Sequence, residues 1–233
     1  MRIVIAGGHG KIAQLLGRLA ADRGDEVVGL VRNPDHVADL GALGVTGVVR
    51  DLEGLTAGSD GPDVLAEDLR GADAVVFAAG AGPGSGAARK DTVDRGAAVL
   101  LADAAERAGV PSYLLVSSIG VDRVRDGATP EDLDEVFVAY LRAKLAAEED
   151  LLARPGLRVV VLRPAGLLDD PATGRVRLDP AVDGGTVPRA DVAAVALELL
   201  DGLVAGRSPA RVLGLESGQT PVADAVAGAT AGA

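Results

Sequence analysis

The sequence predicts an α/β fold built on a doubly wound parallel sheet of about seven strands. Short apolar runs such as residues 3–6 recur along the chain, as expected for parallel strands that are buried on both faces. Segments with helical spacing of Ala and Leu, such as residues 92–108, lie between these runs. Hydrophobic residues make up 48% of the chain and aromatic residues only 2%, which suits a sheet covered by Ala-rich helices. The pattern is therefore that of a Rossmann-type domain with the strand order 3-2-1-4-5-6-7.

The length of 233 residues fits a single domain, residues 1–233, and no linker interrupts the alternation of strands and helices. Irregular polar stretches predict small substrate-side loops at roughly residues 119–138 and 168–188, and the second is also compatible with a hairpin. Residues 223–233 contain mainly Ala, Gly and Thr, and we expect them to form a flexible tail.

The composition also limits the classes of partner. The formal charge is −11, from 34 acidic and 23 basic residues, so we expect neither nucleic acid nor an anionic membrane as a partner. The chain has no cysteine, which excludes a disulfide framework and a cysteine metal site, and we expect no bound metal. The first apolar run is too short for a signal peptide, and no later run approaches the length of a membrane span. We therefore expect a cytoplasmic protein.

A glycine-rich loop, residues 7–13, connects the first predicted strand to the first predicted helix. Gly7 permits a tight turn, and Gly10 lets the backbone approach a pyrophosphate closely. The amides and the positive dipole end of the following helix then face the phosphates. The loop therefore predicts a dinucleotide site, although a glycine-rich turn can also simply connect a strand to a helix without binding a ligand.

The second predicted strand, residues 26–31, is followed by Arg32. In a dinucleotide fold this strand end lies beside the adenosine ribose, where an acidic residue favours a free 2′-hydroxyl and an arginine accommodates a 2′-phosphate. Arg32 therefore favours NADP(H) over NAD(H), with a solvated turn arginine as the alternative. His9 either faces the same 2′-phosphate or is only a polar loop residue.

Two later strand ends also carry candidate cofactor contacts. Asp51 and Leu52 follow the third predicted strand, residues 45–50, and in this fold such a pair lies along the adenine edge, although an Asp after a strand is more often a turn residue. The fourth predicted strand, residues 74–79, runs into small residues that leave room for a cofactor. These small residues are Ala78, Ala79 and Gly80.

The fifth predicted strand, residues 112–118, delivers the hydroxyls of Ser117 and Ser118 to its carboxyl end. On the next helix, Tyr140 and Lys144 are spaced i, i+4, so both side chains project from one face. An ammonium group there favours the tyrosinate and helps the phenol to pass a proton. The same spacing also fits an ordinary amphipathic surface pair.

The last predicted strands are residues 158–162 and 212–215. Between them, a helix over residues 191–200 begins with Asp191 as its N-cap.

Four segments are informative as an ordered set: Gly7-Gly8-His9-Gly10-Lys11-Ile12-Ala13, Val31-Arg32-Asn33-Pro34, Val116-Ser117-Ser118-Ile119-Gly120 and Tyr140-Leu141-Arg142-Ala143-Lys144. Residues 162–167 and 188–193 extend this set over nearly the whole chain. In this order the segments resemble the atypical short-chain dehydrogenase/reductases, specifically their compact NAD(P)H-binding, NmrA-like branch.

The resemblance implies an NADP(H) site and a catalytic site. The residues implied to surround the pyrophosphate are Gly7, Gly10, Lys11, Ile12 and Ala13, and those implied to border the nicotinamide are Ala78, Ala79, Gly80, Pro164, Ala165, Gly166 and Leu167. In catalytic relatives, residues such as Tyr140 and Lys144 act as acid/base and as ribose anchor. A serine holds the substrate carbonyl, and here that would be Ser118 or, less well placed, Ser117. Related extended enzymes often carry this hydroxyl one position further, where this chain has Ile119.

Together these features predict an oxidoreductase that uses NADP(H), or alternatively NAD(H), to reduce a small carbonyl or quinone-like substrate, with a proton from Tyr140. One alternative is a non-catalytic regulator that senses NADP(H) and reports to a protein partner, and Ile119 favours it. A nucleotide-sugar epimerase or dehydratase is a third candidate, but the short region after the sixth strand leaves little protein to enclose a sugar. Substrate and oligomeric state stay open.

Overall fold

A nine-stranded, mostly parallel sheet forms the centre of the protein in the computed structural model, which describes residues 1–82, 84–207 and 211–231. The strands are β1 (Arg2–Ala6), β2 (Glu26–Val31), β3 (Thr46–Val49), β4 (Ala74–Phe77), β5 (Ser112–Val116), β6 (Arg158–Pro164), β7 (Gly166–Leu168), β8 (Arg175–Asp179), β9 (Thr186–Pro188), β10 (Val212–Ser217) and β11 (Thr220–Pro221). The order in the sheet is β3-β2-β1-β4-β5-β6-β10-β8-β11, and β7 pairs with β9 separately.

The parallel part of the sheet confirms the predicted fold class and the order 3-2-1-4-5-6-7, because β10 is the predicted seventh strand. After β3 the chain returns to place β4 on the other side of β1. The strand order therefore reverses beside β1. In open α/β sheets this switch point, at the carboxyl ends of the strands, is where ligands bind.

Two antiparallel strands extend the sheet beyond the prediction. β8 pairs with β10, and β11 pairs with β8. Residues 168–188, predicted as a loop, thus contribute β8 to the main sheet and β9 to the small pair. In the sequence of β8, charged residues alternate with Val176 and Leu178, so the strand has no continuous apolar run. This alternation fits a strand that packs on the core with one face only. Its place depends on pairing with a strand that is distant in the sequence.

Helices cover both faces of the sheet. They are α1 (Lys11–Asp22), α2 (His36–Gly41), α3 (Leu52–Thr56), α4 (Gly61–Leu69), α5 (Ala87–Lys90), α6 (Ala97–Ala108), α7 (Glu135–Ala153), α8 (Arg189–Val204) and α9 (Val222–Ala231), with a π-helical turn at Asp91–Gly96 and a 3₁₀ segment at Val121–Gly127. Ile3 and Ile5 of β1 belong to a core that includes α1 and α8, whereas Val4 and Ala6 belong to one that includes α4 and α6. The period of two along β1 thus divides its side chains between two cores.

The C-terminal segment forms a helix, so the prediction of a flexible tail over residues 223–233 was wrong for its larger part. Ala225 and Val226 of α9 are buried in the core that also contains α8. The Ala, Gly and Thr of this segment give a weak helical signal, and packing on α8 supplies the stability that an isolated helix of this length lacks. Residues 232 and 233 lie outside the described residues.

The helix that precedes β10 begins at Arg189 rather than at Asp191. Asp191 is fully buried, and its carboxylate accepts hydrogen bonds from the hydroxyl of Thr173 (2.8 Å) and the amide of Gly174 (2.9 Å). Asp191 therefore holds the chain before β8 against α8 instead of capping its own helix.

Candidate cofactor-binding and active site

The glycine loop after β1 is packed tightly against the end of β4. Gly7 has φ of +78°, and a Cβ atom there would lie 2.6 Å from Cα of Ala79. The amide of Gly10 donates to the carbonyl of Gly7 at 2.8 Å, which closes the turn. Only glycine fits at position 7, because both the backbone conformation and the distance to Ala79 exclude a side chain.

The N-terminus of α1 is open to an anion. Gly10 precedes the helix in an extended conformation, no side chain caps the first amides, and the first turn contains no acidic residue. The uncapped amides and the helix dipole therefore fit the pyrophosphate of a dinucleotide.

A cleft of about 310 Å³ lies beside this helix end, at the carboxyl ends of β1, β2 and β4. The predicted cofactor residues that line it are Gly7, His9, Gly10, Arg32, Asp51, Leu52, Ala78, Ala79 and Gly80. Residues from separate parts of the sequence thus meet around one cavity at the switch point of the sheet.

Other predicted cofactor residues lie away from the lining of this cleft. The exposed ammonium of Lys11 is 2.5 Å from Oδ2 of Asp169, and Ile12 packs against the core. Pro164 ends β6, the amide of the buried Ala165 donates to the carbonyl of Leu215, and Leu167 is exposed in β7. Their roles at the pyrophosphate and nicotinamide stay predictions.

Glu53 connects two arginines at the far end of the cleft. Nη1 of Arg32 and Nη2 of Arg89 both donate to Oε2 of Glu53, at 2.8 and 2.7 Å. The hydrogen bond from Arg89 is the main reason that the pKa of Glu53 lies below its ordinary value. Arg32 therefore stands where the sequence predicts it, but its charge is shared with a carboxylate.

The two histidines of the chain meet at the same end of the cleft. The rings of His9 and His36 stack with their centroids 3.6 Å apart, and both residues line the cavity. Nε2 of His9 is 2.9 Å from Oδ2 of Asp39. His9 is thus held in the lining of the cleft, and its contact with a 2′-phosphate stays a prediction.

Tyr140 lies on α7 with its ring partly buried beside two ammonium groups. Nζ of Lys90 is 5.5 Å from the ring centroid and Nζ of Lys144 is 5.8 Å from it. The ring of Phe137 packs against it at 5.6 Å. Within the described ranges the phenol hydroxyl makes no hydrogen bond to the protein, and Tyr140 is not among the residues that line the cleft.

Lys144 is buried in an ion pair that the sequence analysis did not predict. Its ammonium lies 3.2 Å from Oδ1 of Asp94, in the π-helical turn, and donates to the carbonyls of Val116 (3.2 Å) and Ala79 (3.5 Å). The side chains of Lys144 and Asp94 are only 4% and 0% exposed. Two of the three ammonium donors are thus used in hydrogen bonds to carbonyls, whereas Oδ1 of Asp94 faces the ammonium as an ion pair without a hydrogen bond.

The two candidate serines have local partners. Oγ of Ser118 donates to the carbonyl of Ile119 at 3.0 Å. Oγ of Ser117 donates to Glu148, which is 1% exposed and also binds the guanidinium of Arg163. Burial lowers the pKa of Arg163, but the hydrogen bond and charge of Glu148 raise it, and the pKa lies above its ordinary value. Ser117 therefore belongs to a buried polar network below the site.

Several charged residues near the site were missed by sequence reasoning. Glu148 continues the stripe of Tyr140 and Lys144 at four-residue spacing, and this signal was available. Asp94 lies between Val93 and Arg95 at the polar start of a predicted helix, and nothing in this segment marks it as buried. Glu53 and Arg89 come from short segments without periodicity, and only the fold brings them together.

Residues 7–202 match the protein family described as NAD(P)H-binding. The chain belongs to this NAD(P)H-binding family. The match covers most of the chain and agrees with the compact NAD(P)H-binding branch that the sequence resembles. The match therefore supports a nicotinamide cofactor for this chain.

Three relatives show how far the similarity extends. YhfK of Bacillus subtilis, named an uncharacterized sugar epimerase, is 30% identical over 97% of this chain and 99% of its own. A Bacillus halodurans structure with the provisional name NAD-dependent epimerase/dehydratase superposes with a TM-score of 0.83 at 30% identity, covering 98% of this chain and 99% of that one. ChuY of Escherichia coli O157:H7, named an anaerobillin reductase, has a TM-score of 0.73 at 27% identity, covering 93% and 97%.

None of the helices in the described ranges combines the length and apolar character needed to cross a bilayer. In the same part of the chain, no group of His, Cys, Asp and Glu side chains has the arrangement of a metal site.

Proposed function

We propose that this protein is an NADP(H)-dependent oxidoreductase that reduces a small carbonyl or quinone-like substrate, with Tyr140 as the proton donor. The observation that carries the proposal is the position of the Tyr140 ring beside the ammonium groups of Lys90 and Lys144. Two cations near one phenol stabilise the negative charge that develops on its oxygen as the proton leaves. The name of the reductase ChuY supports the same reaction class.

The residues of this chain then have distinct tasks. The bound nicotinamide supplies the hydride. The amides at the start of α1 hold the pyrophosphate, and the small residues 78–80 leave room for the ring. Tyr140 donates its proton to the substrate oxygen, and solvent returns a proton to the phenolate.

Lys144 acts in this proposal through its charge rather than through the cofactor ribose. Two of its donors already bind the carbonyls of Val116 and Ala79, and its charge is paired with Asp94 inside the protein. The ammonium therefore supports Tyr140 electrostatically without leaving its buried position.

A non-catalytic NADP(H) sensor is the second candidate function. Its support is the hydroxyls of Ser117 and Ser118, which both have protein partners, together with Ile119 in the place of a catalytic hydroxyl. In this case the cofactor site is used for binding alone, and a protein partner responds to the bound state.

A sugar epimerase is a third candidate, supported by the names of the Bacillus relatives. The chain after β6 is short, and β8 and β9 take part of it into sheets. Little protein is then left to enclose a nucleotide sugar.

The first experiment is calorimetric titration of the purified protein with NADPH and NADH, followed by NADPH oxidation against a panel of carbonyls and quinones. We expect turnover in the wild type and its loss in Tyr140→Phe. Tyr113→Phe is the matched control, because the Tyr113 hydroxyl is buried and donates to the carbonyl of Ala98. Tight NADPH binding without turnover on the whole panel would favour the sensor, and failure to bind either nucleotide would contradict the proposal.

The NADP(H) preference is tested separately. Arg32→Ala should weaken NADPH by about tenfold or more and NADH much less, because only NADPH carries the 2′-phosphate. Arg70→Ala is the control, because Arg70 is exposed directly after α4, pairs with Glu67 and is not among the residues that line the cleft. Equal losses for both cofactors in Arg32→Ala would show that Arg32 does not recognise the phosphate.

A further inference from the structure

We propose that Arg89 is a second binding residue for the 2′-phosphate of NADP(H), and that Glu53 holds Arg89 and Arg32 together until the phosphate displaces its carboxylate. This inference rests on the proposed NADP(H) function and adds specificity residues to it. Neither Glu53 nor Arg89 belongs to the segments that carry the family resemblance.

The three side chains come from three different elements and meet at one atom. Arg32 follows β2, Glu53 lies in α3 and Arg89 lies in α5, and all three line the cofactor cleft. Nη1 of Arg32 and Nη2 of Arg89 donate to the same oxygen, Oε2 of Glu53, at 2.8 and 2.7 Å. One anionic oxygen is therefore held by two guanidinium groups from different segments of the chain.

A phosphate can take the place of this carboxylate. Its oxygens accept parallel hydrogen bonds from guanidinium groups, as a carboxylate does. Glu53 contributes one negative charge between two arginines, with Asp51 as a further acidic residue in the lining, whereas a dianionic phosphate in the place of the Glu53 carboxylate would contribute two. Two other basic side chains that line the cleft have acidic partners of their own, since Arg50 binds both oxygens of Asp68 and His9 lies 2.9 Å from Asp39, while His36 stacks on His9.

The group is accessible and Arg89 is held by more than Glu53. The side chains of Arg32, Glu53 and Arg89 are 59%, 27% and 38% exposed. Nη1 of Arg89 also donates to the carbonyl of Ala81 at 3.3 Å. Arg89 therefore keeps an anchor at the cleft when the Glu53 carboxylate moves away.

The test is calorimetric titration of the full chain and its variants with NADPH and NADH, and with adenosine 2′,5′-bisphosphate and 5′-AMP as probes of this end of the site. Arg89→Ala should weaken NADPH and the bisphosphate by about tenfold or more, while NADH and AMP change less than about twofold. Glu53→Gln should strengthen NADPH several-fold, because it frees both guanidinium groups and removes a negative charge beside the phosphate. Arg95→Ala is the matched control, because Arg95 pairs with Asp91 and does not line the cleft.

NADH binding shows in each variant that the site is folded. Equal effects of Arg89→Ala on NADPH and NADH, or none on either, would overturn the assignment of Arg89. Weaker NADH binding in Glu53→Gln, without a gain for NADPH, would overturn the role of Glu53, because the carboxylate would then bind a ribose hydroxyl. A wild type that binds neither cofactor would contradict the proposed function itself, whereas a wild type that prefers NADPH and an unaffected Arg89→Ala would contradict only this inference.

Discussion

Removal of the Lys144 ammonium should destabilise the fold severely, because it leaves the Asp94 carboxylate buried without its cation. Lys144→Met keeps most of the side-chain volume and removes the charge. Among the residues that the structure describes, Asp94 would retain only the amide of Ala81, at 3.2 Å, in a position with no solvent exposure. Breaking a buried ion pair from one side costs about 3–5 kcal/mol, which is a large share of a total stability of about 5–15 kcal/mol.

The assay is urea denaturation of the wild type, Lys144→Met, Asp94→Asn and the double variant. The double variant leaves neither charge buried, so its loss should be smaller than the sum of the single losses by about 1–3 kcal/mol. Lys11→Met is the control, because the pair of Lys11 with Asp169 is exposed and such pairs contribute about 0–1 kcal/mol.

A cost below about 1 kcal/mol for Lys144→Met, similar to that of Lys11→Met, would refute this reasoning. The ammonium of Lys144 would then be hydrated in solution and able to reach a cofactor ribose. The stability measurement therefore also decides between the electrostatic role of Lys144 and the anchoring role that the family resemblance implies.

Three further predictions concern the loop, the buried network and the cleft. Gly7→Ala should lower the melting temperature and abolish binding of both cofactors in calorimetry, because a Cβ at 2.6 Å from Cα of Ala79 must displace the loop. Ser117→Ala should cost about 1–3 kcal/mol in urea denaturation, because it removes a donor from the buried Glu148. Because Arg89 lowers the pKa of Glu53, the stabilisation by this pair is present above pH 4.5, the ordinary value, and is lost as the pH falls through the lowered pKa. When stability is measured as a function of pH, the Glu53→Gln variant should not show this loss at acidic pH.

The parallel sheet could be predicted because each of its central strands is buried on both faces and reads as a continuous apolar run. β4, for example, is buried at all four residues. β8 could not be predicted, because only one of its faces packs on the core and it depends on β10 for its hydrogen bonds. α9 was missed for a related reason, since its helical state depends on contact with α8.

The parts of the candidate site that could be predicted are those whose position follows from local sequence. The loop at Gly7 and the strand end at Arg32 follow from local rules, and both line the cleft. The spacing of Tyr140 and Lys144 placed both on one helix face but gave no information on what that face meets. Asp94 is distant in the sequence, and its pairing with Lys144 arises only when α7 packs against the π-helical turn.

The π-helical turn at Asp91–Gly96 joins α5 and α6 into one continuous helical stretch. A π turn accommodates one residue more than an α turn, and one residue corresponds to about 100° of rotation around the helix axis. The extra residue therefore sets the rotation of α5 relative to α6 around the common helix axis. Arg89 lies in α5, and small side chains of α6, such as Ala98, pack on the sheet. Deletion of a single residue from this turn would leave both halves helical but would turn one of them away from its partner. The length of the turn, counted in residues, thus determines whether one helix can serve a ligand at one end and a core at the other.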